Sequence, residues 1–213
     1  MKLDRNILIL YAITNFNFSD NEISITDKIT KGINGGVTCI QLREKNLPHK
    51  QFLKRALLIR KICKKRNIIF IINDNVKIAI ESNADGVHIG QNDLSIFEAR
   101  KLIGNKILGV SVQTVNQAIE AEKCGADYLG VGAIFPTQTK QDVSIVTINT
   151  LKKISQNVSI PVVAIGGLNL KNIEKLNQSG INGIAVSSAI FLENNIEIQA
   201  RNLLNLSKKV IEV

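Results

Sequence analysis

Cations, carboxylates and hydroxyls recur at the ends of short apolar runs in this chain of 213 residues. The run T-C-I-Q-L-R (38–43) carries Gln41 and Arg43, and Lys45 follows two residues later. Gln41 and Arg43 share one face because side chains alternate along a strand. Guanidinium and ammonium groups donate hydrogen bonds and accept none, which suits phosphate oxygens. The spacing therefore indicates a site for a phosphorylated ligand beyond this run.

Two carboxylates follow the next two apolar runs. Asp74 comes directly after I-I-F-I-I-N (68–73), and Asp93 ends the stretch G-V-H-I-G-Q-N-D (86–93). Mg²⁺ is commonly held by one or two carboxylates together with phosphate oxygens of a substrate, so we expect Asp74 and Asp93 to be metal ligands in a basic site. The competing interpretation is that they cap helices beginning near Asn75 and Ser95.

The later runs end in hydroxyls, glycines and a further cation. Glycines after a seventh strand and serines after an eighth are typical of the phosphate site of (β/α)8 barrels, where backbone N–H groups face the anion. The polar ends of these runs, taken together, would then hold two phosphorylated groups, one near the second run and one near runs six to eight. Asn73 ends the third run. The candidate residues at the later ends are Ser111, Thr137, Thr139, Lys140, Gly166, Gly167, Ser187 and Ser188.

The apolar runs themselves predict the fold. Most are continuously apolar, as strands of a parallel sheet covered on both faces are. They alternate with helical patterns, such as the one after Pro48, and with capping signals at Ser95/Glu98 and Thr114/Gln117. We predict a single α/β domain over residues 1–213, a compact (β/α)8 TIM barrel with its active site at the carboxyl ends of the strands. The predicted strands are 7–14, 38–43, 68–73, 86–90, 107–112, 128–135, 161–167 and 183–188.

A doubly wound open sheet is the alternative fold. It usually has fewer strands at this length, and no G-x-G-x-x-G motif follows the first strand. A closing helix is predicted from about residue 193 to residue 213. His88 lies inside an apolar run and is expected in the barrel interior, whereas His49 is expected at the surface. With no Ser/His/Asp or Cys/His set visible, covalent nucleophilic catalysis is not expected.

Charge and composition limit the partners. Lys and Arg number 27 against 18 acids, a formal charge of +9, which suits an anionic partner. Trp is absent and aromatics are 4%, so platforms for stacking bases are scarce and small phosphorylated ligands fit better than nucleic acid. We see no signal peptide and no apolar run of roughly 18 residues that would span a membrane. Three widely spaced cysteines indicate a reducing, cytoplasmic setting.

Eight blocks of the sequence, taken in combination, resemble the thiamine-phosphate synthase (thiamine-phosphate pyrophosphorylase) family over nearly the whole chain. Individually, A-I-G-G and G-A-D-Y are shared by many phosphate-binding barrels, and the specificity comes from the order and spacing of all the blocks. They are Y-A-I-T, G-V-T-C-I-Q-L-R-E-K, I-N-D-N-V-x-I-A, A-D-G-V-H-I-G-Q-N-D-L, G-V-S-V, G-A-D-Y-L-G-V-G-A-I-F-P-T-Q-T-K, P-V-V-A-I-G-G-L and G-I-A-V-S-S-A-I-F.

The resemblance implies a reaction that joins 4-amino-5-hydroxymethyl-2-methylpyrimidine diphosphate to 4-methyl-5-(2-phosphoethyl)thiazole. The products are thiamine phosphate and pyrophosphate, and the pyrophosphate leaves first. Asp74 and Asp93 would hold Mg²⁺, and Arg43, Lys45 and Lys140 would stabilise the leaving group. The implied contacts to the pyrimidine diphosphate are Gln41, Arg43, Lys45, Asn73, Ser111 and Lys140, and those to the thiazole phosphate are Thr137, Thr139, Gly167, Ser187 and Ser188. Leu42, Glu44 and Gln138 are further implied substrate contacts. The chain departs from the family pattern at Asn15 and Ala133, and its oligomeric state stays open.

Other functions compete with this one. A thiazole tautomerase shares the barrel but typically has a His near the G-x-S strand, where this chain has Gln113, and lacks the acid found here at Asp93. A non-catalytic phosphate-binding barrel would need the cations but not the paired acids. A phosphosugar isomerase would need an acid–base pair beyond the two acids assigned to metal. A nucleic-acid-binding protein would bind RNA in a salt-sensitive way.

Overall fold

The computed structural model describes residues 3–14, 16, 21–137 and 144–211. Eight parallel strands pair in chain order, and the first also pairs with the last, so that the sheet closes into a barrel. This confirms the predicted (β/α)8 fold and excludes the open sheet. The strands are β1 (Leu10–Ile13), β2 (Cys39–Leu42), β3 (Ile69–Asn73), β4 (Gly86–Ile89), β5 (Ile107–Val112), β6 (Tyr128–Val131), β7 (Val162–Ile165) and β8 (Gly183–Val186).

Helices cover the outside of the barrel. Between β7 and β8 the chain forms only a 3-10 helix (Ile173–Leu176), not the α-helix that strict alternation predicts. Asn side chains there bind nearby backbone groups, which competes with helix formation. The described α-helices are α1 (Glu22–Asn34), α2 (His49–Arg66), α3 (Val76–Glu81), α4 (Ile96–Ile103), α5 (Val115–Lys123), α6 (Ile148–Asn157), α7 (Ser188–Phe191) and α8 (Ile196–Ile211).

The predicted helix starts agree with the structure. Pro48 immediately precedes α2. Thr114 and Gln117 form a complete capping box at α5. At α4 the Ser95 hydroxyl accepts a hydrogen bond from the Glu98 N–H, while the Glu98 carboxylate binds that hydroxyl. Local sequence therefore determines where the helices after β2, β4 and β5 begin.

The core has two layers because both faces of every strand are buried. Alternate residues of β1 illustrate this: Tyr11 and Ile13 face the barrel interior, whereas Leu10 and Ala12 belong to the larger layer between strands and helices. This is the physical reason that the strands read as continuous apolar runs rather than as alternating ones. No helix in the described ranges is long and apolar enough to cross a membrane.

The amino-terminal end of the barrel repeats one hydrogen bond four times. Before each even-numbered strand, a polar side chain accepts the backbone N–H of the preceding odd-numbered strand. The acceptors and donors are Thr38 Oγ1 and Leu10 N (3.0 Å), Asp85 Oδ2 and Phe70 N (2.8 Å), Asp127 Oδ2 and Leu108 N (2.7 Å), and Asn182 Oδ1 and Val162 N (3.0 Å). These polar side chains join neighbouring strands, so the chemistry has to be sought at the opposite, carboxyl end.

Candidate active site

A lysine and two carboxylates meet at the carboxyl ends of β2, β3 and β4. Lys45 Nζ lies 2.5 Å from Asp74 Oδ2. Partial burial raises the pKa of Asp93, and the neighbouring Asp74 carboxylate, within hydrogen-bonding range, raises it further. Two acids that disfavour each other's ionisation beside a cation form a charged centre, and perturbed groups of this kind are typical of functional sites.

Neither acid caps a helix. Asn75 caps α3 by accepting the Ile78 N–H, and Ser95 caps α4. Asp93 instead accepts the Gly90 N–H at 2.7 Å, which closes the loop after β4. The capping interpretation is therefore wrong for both carboxylates, and they remain available to a ligand.

The backbone at Asp74 is strained. Its φ angle is +62°, a region that residues with a Cβ adopt at a cost of roughly 1–3 kcal/mol. Its N–H donates to the His88 carbonyl at 2.7 Å, which ties the end of β3 to β4 and holds the carboxylate in this position. Such strain accumulates where a side chain has to be aimed, which is consistent with a binding role for Asp74.

A cleft of about 490 Å³ opens beside this charged centre and is lined by Lys45, Asn73 and Asp74 among others. Arg43 is half-buried next to it, and its backbone N–H donates to Thr14 Oγ1 at 3.0 Å. Within the described residues the Arg43 guanidinium forms no hydrogen bond or ion pair. A guanidinium without a carboxylate partner at a polar mouth is suited to bind an anion.

Two members of the predicted substrate-binding segment have other contacts. The Leu42 side chain is fully buried between the barrel and its helices, so it could offer a ligand only its backbone. The Glu44 carboxylate lies 2.6 Å from Arg55 Nη1 of α2, and both side chains are more than 90% buried. Glu44 therefore anchors the loop that carries Arg43 and Lys45.

Gln41 and Ser111 point into the barrel at the level of the mouth. Gln41 Nε2 donates to the Tyr11 hydroxyl at 2.8 Å, and Ser111 Oγ lies 2.9 Å from His88 Nε2. His88 is buried in the barrel interior, as the sequence predicts. His49 is exposed and pairs with Glu81 at 2.7 Å.

Glycines and serines follow the ends of two neighbouring strands, since Ile165 of β7 pairs with Ala185 of β8. Gly166 and Gly167 have φ angles of +96° and +66°, and a Cβ on Gly167 would lie 2.4 Å from the Pro136 carbonyl oxygen, so this close approach requires glycine. The Ser187 hydroxyl is buried with no hydrogen-bond partner among the described residues, whereas Ser188 is exposed. An unpaired buried hydroxyl costs free energy unless a ligand completes it.

Part of the predicted site falls on the loop after β6. Thr137 is half-buried at the end of the described segment beside Pro136. Gln138, Thr139 and Lys140 lie outside the described residues, as does Asn15.

Sequence reasoning missed several residues that hold the site in place. Asn172 Nδ2 donates to the Gly167 carbonyl at 2.9 Å and so fixes the glycine turn. Gln91 Nε2 donates to the Ser111 carbonyl at 2.7 Å, and Gln113 Nε2 lies 3.4 Å from the carbonyl oxygens of Gly132 and Ser144. The polar side chains of the segment L-N-L-K-N (168–172) were the available signal for the first of these contacts.

Known proteins are similar to this chain along the whole barrel. The sequence profile of the family described as thiamine monophosphate synthase matches residues 10–190, from the first residue of β1 into α7. The chain belongs to this family. A thiamine-phosphate synthase of Ruminiclostridium cellulolyticum is 47% identical over 92% of this chain and 94% of its own length, and one of Clostridium beijerinckii is 45% identical over 96% of each.

A solved structure supports membership of the thiamine monophosphate synthase family. The thiamine phosphate pyrophosphorylase of Pyrococcus furiosus superposes with a TM-score of 0.89 at 35% identity, covering 97% of this chain and 98% of that one. The charged centre, and the glycines and serines after β7 and β8, lie within the residues that the family profile matches.

Proposed function

We propose that the protein is a transferase that condenses 4-amino-5-hydroxymethyl-2-methylpyrimidine diphosphate with 4-methyl-5-(2-phosphoethyl)thiazole. The products would be thiamine phosphate and pyrophosphate. Family membership supports the reaction class, and the observation that carries the assignment to this site is the contact of Lys45 with Asp74 beside Asp93. Cations and carboxylates together are what a metal-bound diphosphate needs, and neither alone suffices.

Asp74 and Asp93 fit a magnesium ion by their donor chemistry. Both are carboxylates at one edge of the mouth, and neither is used to cap a helix. Among the described residues there is no group of three or more His, Cys, Asp or Glu that could hold a metal, so these two acids would leave coordination positions for phosphate oxygens and water. Bound there, Mg²⁺ would neutralise negative charge on the diphosphate.

The protein's own cations would assist the departure of pyrophosphate. The bond between the pyrimidine methylene carbon and the bridging oxygen breaks, and its electron pair leaves with pyrophosphate. Arg43 and Lys45 would donate hydrogen bonds to those oxygens as their charge grows, and Lys140 is proposed to join them from its loop. These donors are more valuable in a partly closed site than in water because the local dielectric is lower.

The second step needs orientation rather than a base. The thiazole nitrogen donates its lone pair to the electron-deficient methylene carbon, forming the new C–N bond without losing a proton. Holding the two substrates in register would therefore supply much of the acceleration. Gly167, Ser187 and Ser188 would bind the thiazole phosphate, with Thr137 and Thr139 as further donors, and the unpaired Ser187 hydroxyl supports this assignment.

Two features support small molecules as the ligands. Lys45, Asn73 and Asp74 line a cleft of about 490 Å³, which is a size suited to a small ligand. Buried free thiols at Cys39 and Cys63 are compatible with a reducing compartment, and we propose the cytoplasm. Nucleic acid and membranes are not part of the proposal.

The decisive experiment measures product formation. Purified protein is mixed with both substrates, with Mg²⁺ or with EDTA, and thiamine phosphate is quantified by chromatography. Mg²⁺-dependent product supports the proposal, and full activity in EDTA would overturn the metal assignment. A folded protein that binds thiazole phosphate but forms no product would instead favour a tautomerase or a non-catalytic binder, and those two differ in whether the thiazole is isomerised.

A further inference from the structure

A continuous chain of hydrogen bonds crosses the barrel interior from β2 to β5. Gln41 Nε2 donates to the Tyr11 hydroxyl at 2.8 Å, and the Tyr11 and Tyr128 hydroxyls are 2.8 Å apart. The Tyr128 hydroxyl lies 3.0 Å from His88 Nδ1, and His88 Nε2 lies 2.9 Å from Ser111 Oγ. The chain starts and ends at residues assigned above to the pyrimidine substrate.

The barrel interior is shaped around this chain. A Cβ on Gly109 would lie 2.2 Å from Tyr128 Cζ and 2.4 Å from His88 Nδ1, and a Cβ on Gly130 would lie 3.0 Å from His88 Cε1. Gly109 is therefore required where β5 passes the two rings, and a larger residue at Gly130 would crowd the imidazole. Tyr11 and Tyr128 are 1% exposed and His88 is 7% exposed, so water does not compete for these hydrogen bonds.

The amide nitrogen of Gln41 sets one possible direction for the hydrogen bonds of the chain. The Tyr11 hydroxyl accepts from it and can give its own hydrogen to Tyr128 or to the Cys39 thiol. When that hydrogen goes to Tyr128, the Tyr128 hydrogen goes to His88 Nδ1. Burial raises the pKa of both phenols well above the usual value, so both keep the hydrogens that this sequence of donors needs. With the chain in this direction, His88 Nδ1 is an acceptor.

The two ends of the chain then present opposite chemistry to the mouth. A neutral imidazole that accepts at Nδ1 carries its hydrogen on Nε2, which donates to Ser111 Oγ and directs the Ser111 hydroxyl hydrogen elsewhere. At the other end, Gln41 Oε1 accepts no hydrogen bond from any residue that the structure describes. It is also not one of the buried unpaired atoms of the described residues, which are Ser179 Oγ and Ser187 Oγ, so it reaches the open mouth.

We propose that Tyr11, Tyr128 and His88 are positioning residues that fix an acceptor at Gln41 Oε1 and a donor at the Ser111 hydroxyl, selecting an amino-substituted pyrimidine over its oxo counterpart. The inference rests on the proposed function, because it concerns the pyrimidine half of that site. An aminopyrimidine offers an N–H donor and an unprotonated ring nitrogen, which complement this acceptor and this donor. The 4-oxo ring reverses both, with a carbonyl oxygen and a ring N–H.

The size of the selection follows from leaving polar groups unpaired. A site built to hydrogen-bond a substrate group rejects an analogue without it by about 10⁴–10⁵-fold. Here the 4-oxo analogue would oppose acceptor to acceptor and donor to donor, and we expect at least about 10³-fold weaker binding. A chain running the other way, with the Gln41 amide nitrogen facing the mouth, would prefer the 4-oxo ring.

The first test needs no substrate. The chain has two histidines, so ¹⁵N-labelled imidazoles give two sets of resonances, and His49 serves as an internal reference. Long-range ¹H–¹⁵N spectra should assign the His88 hydrogen to Nε2 in the wild type. In Tyr128→Phe the Nδ1 partner is lost and a mixture of tautomers is expected, while His49 is unchanged. Detection of the hydrogen on Nδ1 in the wild type would overturn the direction of the chain.

The second test compares the variants by calorimetric binding of the 4-amino and 4-oxo pyrimidine diphosphates with Mg²⁺. Tyr128→Phe should reduce the preference for the amino compound about 10–100-fold. Tyr11→Phe should do so by a smaller factor, because Tyr128 can still donate to His88 Nδ1. Val163→Ala is the control, since it removes packing from the same interior cluster without touching the chain. It should lower stability and leave the preference unchanged.

The outcomes separate this inference from the proposed function. If the wild type forms thiamine phosphate but Tyr128→Phe, folded by circular dichroism, keeps the full preference, the positioning role is overturned and the function stands. If the wild type binds neither pyrimidine diphosphate, the proposed function fails, and the histidine spectra still report the direction of the chain. A preference equally reduced in Val163→Ala would assign the effect to packing and also overturn the inference.

Discussion

The Lys45 ammonium lies 2.5 Å from the Asp74 carboxylate, across the mouth between β2 and β3. In the protein without ligand this cation occupies the position next to the acid that a metal would need. Lys45 therefore has two consequences that oppose each other: it competes with Mg²⁺ for Asp74, and it supplies charge to the leaving pyrophosphate.

Replacing Lys45 by methionine separates these two consequences. Lys45→Met should tighten metal binding by the free protein about three- to tenfold, because a like charge beside the metal site is removed. The same variant should lose about 100-fold or more in kcat/KM, as expected when a donor to a developing anion is removed. Mn²⁺ titration followed by electron paramagnetic resonance measures the first quantity and steady-state product formation the second.

Lys77→Met is the matched control for this change. Lys77 is on α3, its side chain is 73% exposed, and its ammonium is 3.9 Å from Glu81. Its loss alters the net charge equally without touching the mouth. If both variants changed metal affinity by the same factor, a general charge effect would replace the competition between Lys45 and the metal.

Asp93→Asn should remove coupling activity and yet stabilise the metal-free protein at neutral pH. Partial burial first, and then Asp74, raise the pKa of Asp93 above its ordinary value of 3.8. Folding thus favours the protonated form, a contribution complete below the unfolded pKa and lost as the pH rises through the folded pKa. At pH 7 the ionised carboxylate is a cost that the amide avoids, while activity should fall about 100-fold or more.

Urea unfolding in EDTA at pH 7 and at pH 4 measures this effect. The stability difference between variant and wild type should be larger at pH 7 and shrink toward pH 4, where Asp93 takes up its proton. A variant that is less stable than the wild type at pH 7 would mean that the Asp93 carboxylate stabilises the loop through Gly90 by more than its charge costs.

The alternation of side chains between the two faces of each strand made part of the candidate site predictable from the sequence. Side chains alternate faces, so the assignment of Gln41 and Arg43 to one face needed only their spacing, and the same rule directs Ser111 and Asn73 toward the mouth. Apolar runs gave the strands because both faces are buried. The helix starts followed from local capping chemistry at positions such as Thr114.

Contacts between distant elements were not predictable from the sequence. The Glu44–Arg55 ion pair depends on how α2 is rotated against the barrel, which tertiary packing decides. The sequence could not show whether Asp74 or its neighbour Asn75 caps α3. In the structure Asn75 is the cap, one residue later than the capping interpretation of Asp74 requires. The hydrogen bond between Tyr11 of β1 and Tyr128 of β6 crosses the barrel interior, so it forms only when the sheet closes into a barrel.

Ser187→Ala should weaken thiazole phosphate without destabilising the protein. The Ser187 hydroxyl is buried and has no partner among the described residues, so its removal costs the free protein little or stabilises it slightly. Loss of one donor to a phosphate should raise the KM for thiazole phosphate about tenfold, since hydrogen bonds to charged groups contribute about 1.5–3 kcal/mol. The KM for the pyrimidine diphosphate should stay unchanged.

Ser179→Ala is the control for this prediction. Its hydroxyl is also buried without a partner in the described part of the chain, but it lies just before β8, at the amino-terminal end of the barrel. It should match Ser187→Ala in thermal stability and the wild type in both KM values. Equal KM values for Ser187→Ala and the wild type would remove Ser187 from the phosphate pocket.

Breaking the Glu44–Arg55 pair should destabilise the protein far more than breaking a surface pair. Both side chains are more than 90% buried, so Arg55→Met removes the cation paired with a buried carboxylate and should lower the free energy of unfolding by about 3–5 kcal/mol. Arg201→Met breaks an exposed pair to Glu197 on α8 and should cost less than about 0.5 kcal/mol. Denaturant unfolding of each variant gives these values.

The double variant Glu44→Gln/Arg55→Met distinguishes anchoring from substrate binding. If Glu44 serves to hold the loop of Arg43 and Lys45, neutralising both partners should recover part of the stability lost in Arg55→Met, because no buried charge is left unpaired. Glu44→Gln alone should then raise the KM for the pyrimidine diphosphate only in proportion to its effect on stability. A large increase in that KM with unaltered stability would instead assign the Glu44 carboxylate to direct contact with the substrate.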